Sequence, residues 1–459
     1  MAVCHHRIVT SRAQVSSASG SLVDAEPDRS GLPHPQPTPI EWAVVVLALF
    51  VLGRSPVLFL RQRLMDEIGG PVGPLWQDDG LIRWTLLTPA VVVCAFAVRR
   101  TELRRVVRHL LLVALVSLAL ASTAWSVEPA VTLVRAVMFL TTAGVGWHLG
   151  ARFSLRQQLD AVIGAGAVGI AASLGALVRW PVLARSTNGV LGEWSGVYVN
   201  RNLLALAVCT TLLAVLLRWP SASARHRLAL VVLTVSAVWL LRHSNARTGP
   251  VSLAAALSAA SLAGIVRISI VKRGMGRVTA TAAMLLGAVG GLWLAARATG
   301  AILELLDREP TLTRRTEMWD IDRMLVAQRP WRGWGFEAIW SHQPAIDFAA
   351  PRFQAYPYQA HNGYFEMALS LGRVGLVLLL ALIVLTLVRC VALAWEQPGV
   401  EALWPLAMAT YAVVANLSES LFVANEAQWA LFVASGVAAM TARSVAGVDQ
   451  ARAGRRSIS

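Results

Sequence analysis

About twelve stretches of mostly apolar sequence dominate this 459-residue chain, each near the roughly 20 residues needed to cross a bilayer as a helix. They lie near 40–60, 81–98, 109–126, 130–149, 157–178, 198–217, 227–242, 249–267, 278–298, 373–395, 401–418 and 425–442, the first interrupted by "GRSP" at 53–56. No other feature limits the fold as strongly, because in hydrocarbon a backbone must satisfy its own hydrogen bonds, as a helix does. The expected fold class is therefore an all-α polytopic membrane protein with about 12 transmembrane helices. Composition agrees: 56% of residues are hydrophobic and 15% charged, against about 25% charged in a soluble domain.

Lys+Arg 41 against Asp+Glu 26 leaves a net charge of +15. In a membrane protein such an excess marks loops held on the cytoplasmic side rather than a nucleic-acid surface. The basic clusters follow every second span: "RRTELRRVVRH" after the second, Arg152 and Arg156 after the fourth, "RWPSASARHR" after the sixth and "RISIVKRGMGR" after the eighth. Both termini are then cytoplasmic. The one large loop, 300–360 between the ninth and tenth helices, is extracytoplasmic. Its mixed charge fits that side, with Glu304, Asp307, Glu309, Glu317, Asp320, Asp322, Glu337 and Asp347 balancing its arginines.

The expected organisation is a disordered cytoplasmic tail over 1–39, helices 1–9 over 40–299, the extracytoplasmic loop 300–360, helices 10–12 over 361–443 and a cytoplasmic tail over 444–459. The Ser-, Pro- and His-rich start has no apolar core followed by a cleavage site, so it does not read as a secretory signal. Cys94, Cys209 and Cys390 lie in apolar runs and Cys4 in the tail, with no pairing or metal spacing. Neither a disulfide nor a zinc site is expected.

Polar side chains beside a membrane span are costly and therefore functional candidates. "AHNGYFEMALSLGRVGLVLLL", 360–380, sets His361 and Asn362 before a long apolar run. "HSNARTGP", 243–250, puts Arg247 on the side where positive charge is disfavoured, as a snorkelling residue or a ligand contact. In "GEWSGVYVNRN", 192–202, Asn200, Arg201 and Asn202 suit helix capping and interfacial anchoring as well as they suit ligand contact. Glu419 in "NLSES" is equally ambiguous, and a helix-terminal role remains open for His361. In the loop, "TRRTEMWDIDRMLVAQRPWRGWGF" carries Met318, Ile321, Met324 and Leu325 at helical spacing, with Pro330 ending the helix. This reads as an amphipathic helix lying on the membrane surface, which could also hold Arg314 and Arg315 over a cavity. The carboxylates of "DID", Asp320 and Asp322, diverge on a helix, which argues against a metal site. An imidazole that can take a proton, beside guanidinium groups that can hold phosphate oxygens, suits a hydroxyl attacking a carbon whose leaving group is a phosphate.

These residues resemble the O-antigen ligase and O-antigen polymerase superfamily of bacterial membrane glycosyltransferases. That family's pattern of His, then Asn, Ser or Gln, nine residues, Gly, two residues and Gly, Thr or Tyr is met by His361, Asn362, Gly372 and Gly375. Arg315 and Trp319, followed by Pro330, Gly333 and Gly335, resemble a second family segment, although Arg314 stands where a glycine is usual. "STAWSVEPAVTLVRAV" at 122–137 and "SNARTG" at 244–249 also have the family's look, and the similarity runs from about 122 to 430. The resemblance implies a GT-C-like fold and a metal-independent, inverting transfer without cofactors. His361 would be the general base, and Arg247 and Arg315 would engage the donor's pyrophosphate. The remaining candidates for substrate contact are Arg314, Asn200, Arg201, Asn202, Asn362, Trp319 and Glu419. The implied donor is an undecaprenyl-diphosphate-linked glycan and the acceptor a glycan, lipid or protein. Localisation would be the inner (plasma) membrane, among membrane lipids and without nucleic acid, with the site facing outward.

A repeat-unit polymerase of the same superfamily fits the sequence equally well. A lipid-linked glycan flippase or transporter would share the span count, but transporters place polar residues near the membrane midplane. Here the candidates cluster at the ends of spans.

Overall fold

Thr38 and Ser154 each open an apolar helix with a capping box: the hydroxyl accepts from the backbone N–H three residues on, while Glu41 and Gln157 reach back to the cap. The reciprocal bonds satisfy N–H groups that lack a partner inside the helix. The computed structural model describes residues 36–53, 91–94, 109–185, 193–273, 313–353, 359–423 and 426–456. Its principal helices are α1 (Pro39–Leu52), α2 (Leu110–Ala121), α3 (Pro129–Arg152), α4 (Leu155–Arg179), α5 (Arg201–Arg218), α6 (Ala224–Ser244), α7 (Thr248–Arg273), α8 (Thr313–Gln328), α9 (Gln343–Phe353), α10 (Gly363–Glu396), α11 (Trp404–Ala415) and α12 (Ala427–Arg456). Among the described residues there is no β-strand, only an isolated bridge between Arg185 and Trp194.

Six of these helices, α3, α4, α5, α6, α7 and α10, are long and apolar enough to cross a membrane, and α1, α2, α11 and α12 contain shorter apolar helical stretches. The expected span at 278–298 lies outside the described residues, as do 81–90 and 95–98 of the second span and nearly all of the N-terminal tail. Within the first expected span the described helix ends at Leu52, with Gly53 as its cap. At the other end α12 runs on to Arg456, so residues 444–456, read as a tail, continue the helix.

Helix α12 packs along α3, α7 lies between α5 and α11, α5 also meets α4 and α6, and α10 contacts α2, α11 and α12. The α3–α12 contact depends on small residues. A Cβ on Gly146 would stand 2.2 Å from the Ala430 carbonyl oxygen, and one on Gly150 2.4 Å from that of Ala434. Between helices in lipid, where burial of apolar surface offers little, such close backbone approach supplies the packing.

One joint positions everything at the end of the bundle near His361. Gly372 interrupts α10 with φ 66° and ψ −164°, a region that glycine alone occupies without strain. The interruption frees backbone groups that a continuous helix would pair internally. The loop after α8 takes them up: Trp334 N donates to Leu369 O (2.8 Å), Gly335 N to Ser370 O (3.1 Å), and Arg373 N to Pro330 O (2.8 Å). The same loop is held from its other side by the segment before α3. Trp125 Nε1 donates to Arg332 O, Val127 N to Trp334 O, and Phe336 N to Ser122 Oγ. Phe336 is fully buried and lies 4.8 Å, ring to ring, from Phe139, which stacks on Trp429. Arg135 of α3 adds an ion pair with Glu337 at 3.1 Å.

Helix α8 ends as Pro330 requires, but its apolar side is not left for a membrane surface. Ile321 and Leu325 are buried in a cluster with Trp334, Ile339, Trp340 and Leu369, while Met324 is more than half exposed. The contact stripe is narrower than the spacing suggested, and its partner is protein.

Candidate functional site

His361 stands just before α10, in a left-handed conformation with φ 49°, which turns the chain sharply at the helix entrance. Capping belongs to its neighbour. The Asn362 side chain accepts from Tyr364 N (2.9 Å) and Phe365 N (3.2 Å), and its amide donates to Leu417 O (3.0 Å). The helix-terminal reading of His361 is thereby replaced: Asn362 caps α10 and also ties it to the turn after α11.

That turn carries Glu419. Its buried carboxylate accepts from Asn202 Nδ2 at 2.8 Å through Oε1, and its Oε2 lies 3.9 Å from His361 Nδ1. A buried carboxylate without such company would be strongly disfavoured. His361 is partly exposed, its side chain 20% accessible. Its Nδ1 also lies 3.0 Å from the Gln359 side-chain nitrogen. With Nδ1 accepting there, a neutral ring carries its proton on Nε2. Turning the Gln359 amide presents its oxygen instead, which puts the proton on Nδ1 and frees Nε2 to act as a base.

The Asn-Arg-Asn triplet divides its labour. Asn200 caps α5 by accepting from Leu203 N at 3.0 Å, Arg201 pairs with Glu193, and only Asn202 reaches Glu419. Arg247 immediately precedes α7 and is exposed. The next residue, Thr248, shares a 3.0 Å hydrogen bond with Ser418, so the α7 entrance is tied to the turn bearing Glu419. Trp319 of α8 stacks on Phe365 of α10 with ring centroids 6.1 Å apart, and its indole N–H has no hydrogen-bond partner among the described residues. Positions 314 and 315 belong to the first turn of α8, but the Arg314 and Arg315 side chains lie outside those described. Position 315 is one helical turn before Trp319 and so falls on the same face of the helix.

On α8, Asp320 is exposed and pairs with Arg323, whereas Asp322 is fully buried and neither of its oxygens has a hydrogen-bond partner among the described residues. Burial, reinforced by the nearby Glu366 carboxylate and opposed by Arg323, pushes the Asp322 carboxyl up to about 9. The two aspartates thus occupy different environments, as the helical spacing required, and no His, Cys, Asp and Glu group suited to a metal is found among the described residues.

Sequence reasoning passed over Glu366, although its place five residues after His361 was visible. Its Oε1 accepts from Trp340 Nε1 (2.8 Å) and its Oε2 from Ala360 N (2.6 Å) and Ser420 Oγ (3.4 Å). A carboxylate within an apolar helix was the available signal. Gln359 and Ser418 offered none, because their roles depend on contacts made far along the chain.

Apolar helices traversing a bundle, with polar side chains gathered where several of them end, define a polytopic integral membrane protein. Within that class, residues 223–380 match the model of the O-antigen ligase family. The match covers Arg247, Arg315, Trp319, His361 and the glycines of the α10 joint; Asn202 and Glu419 lie outside it. No curated protein matches the chain.

Proposed function

We propose that the chain is a membrane glycosyltransferase that moves a glycan from an undecaprenyl-diphosphate carrier to an acceptor hydroxyl or amide at the outer face of the inner membrane. The observation that carries this reading is the approach of His361, Glu419 and Asn202, from three different helix ends. In the reaction, the acceptor oxygen forms a bond to the anomeric carbon as the bond from that carbon to the diphosphate breaks, and the acceptor's proton passes to His361 Nε2. A single displacement of this kind inverts the anomeric configuration.

Glu419 faces the opposite edge of the ring. There it favours a proton on Nδ1 and stabilises the imidazolium that forms, the role a buried carboxylate has beside a catalytic histidine. Negative charge builds on the departing diphosphate, and the Arg247 and Arg315 guanidinium groups would hold it through paired hydrogen bonds. With arginines in that role the transfer needs no metal, and its rate should survive EDTA.

The deciding experiment uses membranes of a deletion strain, which hold the accumulated lipid-linked glycan, supplied with the purified protein or its variants. His361→Asn should lower transfer by about 10²-fold or more. Asn accepts the left-handed conformation better than most residues, so the fold should persist. Arg247→Ala should raise the donor concentration needed, and Arg247→Lys should restore only part of the loss. Near-normal transfer by folded His361→Asn would sink the assignment of the base.

A further inference from the structure

We propose that Glu366 is a positioning residue that sets the distance between His361 and Glu419, an inference that rests on the catalytic reading of His361 above. Glu366 is 2% exposed and touches three segments that are remote from one another in sequence. Through Oε2 it holds the N–H of Ala360, the residue before His361, and the hydroxyl of Ser420, the residue after Glu419. Through Oε1 it holds the Trp340 indole. One oxygen therefore holds a neighbour of each partner of the His361–Glu419 pair, the backbone N–H before His361 and the side-chain hydroxyl after Glu419, and the other anchors the loop that follows α8.

The anchoring matters because the pair is loosely spaced. At 3.9 Å the imidazole and carboxylate are too far apart for a direct hydrogen bond, so their relation depends on the segments that carry them. His361 holds a left-handed conformation that its own side chain does not enforce. The Ala360 N–H, fixed at 2.6 Å on Glu366, keeps the preceding peptide in place. A misplacement of about 1 Å at a reacting group can cost on the order of 10²-fold in rate.

The two oxygens allow the roles to be separated. Glu366→Gln can keep an acceptor toward Trp340 but sets an amide NH2 against the Ala360 N–H, donor against donor. Trp340→Phe does the converse, leaving both Oε2 contacts intact. In the same membrane assay, with the extracted lipid-linked glycan as donor, Glu366→Gln should lower kcat about tenfold or more with donor KM within about twofold of wild type. Trp340→Phe should lower thermal stability with kcat per folded molecule retained. Should Glu366→Gln fail to accumulate, Glu366→Asp, too short to reach both Ala360 and Trp340, should show the same split between kcat and KM.

Parallel losses of stability and turnover in the Glu366 and Trp340 variants would reduce Glu366 to a structural tie and overturn the inference. So would wild-type kcat in Glu366→Gln, or in Glu366→Asp where the Gln variant does not accumulate. His361→Asn, run alongside, separates the two levels of argument. If it is inactive while the Glu366 variant turns over normally, only the positioning role fails; if it is active, the base assignment fails first.

Discussion

Replacing Gly372 by alanine tests the joint that holds α8 over α10. At φ 66° and ψ −164° an alanine pays roughly 1–3 kcal/mol in backbone strain. Its Cβ would also stand 2.3 Å from both the carbonyl carbon and the oxygen of Trp331. Backbone atoms cannot swing aside as a side-chain tip does, so the loop must move, at a further cost of about 1–3 kcal/mol. The combined loss of about 2–6 kcal/mol should lower the thermal midpoint of the detergent-purified protein by on the order of 5 °C or more. Gly175→Ala is the control, because nothing lies within 4 Å of its new Cβ; inside α4 that change should be neutral or stabilising by roughly 0.5–1 kcal/mol. Transfer activity of Gly372→Ala should fall beyond the loss of folded protein, since Trp334 and Gly335, which bond to Leu369 and Ser370, fix the loop beneath α8. A Gly372→Ala protein with wild-type thermal midpoint and transfer would refute the account of the joint.

The buried Asp322 sets a pH dependence of stability. Its folded value, raised to about 9, means that the native state retains a proton that the unfolded chain releases near the ordinary carboxylate value. Its contribution is therefore fully present below about pH 4 and declines as pH rises toward 9; Asp322→Asn should flatten the fall in thermal midpoint between pH 5 and 8.5, and an unchanged slope would count against the neutral carboxyl. The orientation inferred from arginine asymmetry is tested with Asp347→Cys, exposed on α9, in a background lacking Cys4, Cys94, Cys209 and Cys390. An impermeant thiol reagent should label it from the periplasmic side, and labelling only after the inner membrane is opened would reverse the topology.

Local sequence determined a good deal of this protein. Apolar run length marks the described helices, because a bilayer's thickness sets how many residues must be apolar, and arginine spacing supplies an expected orientation without any contact being known. His361, Asn362 and Arg247 could be singled out because each breaks an otherwise apolar pattern, whereas Gly372 and Trp319 came forward through the family resemblance. Helical spacing alone separated Asp320 from Asp322. Local sequence could not say which of Asn200, Arg201 and Asn202 caps, which pairs and which meets Glu419, since all three have chemistry suited to capping, pairing or binding. Tertiary structure decided it by bringing Glu419 beside Asn202 across 217 residues of sequence, while Leu203 and Glu193 claimed the other two. The role of Gly372 likewise needs the loop 330–335, whose N–H and C=O groups replace the bonds its own helix gives up. Hydrogen-bond partners this far apart leave no periodic trace in a single chain, because only the packed bundle determines which helix ends meet.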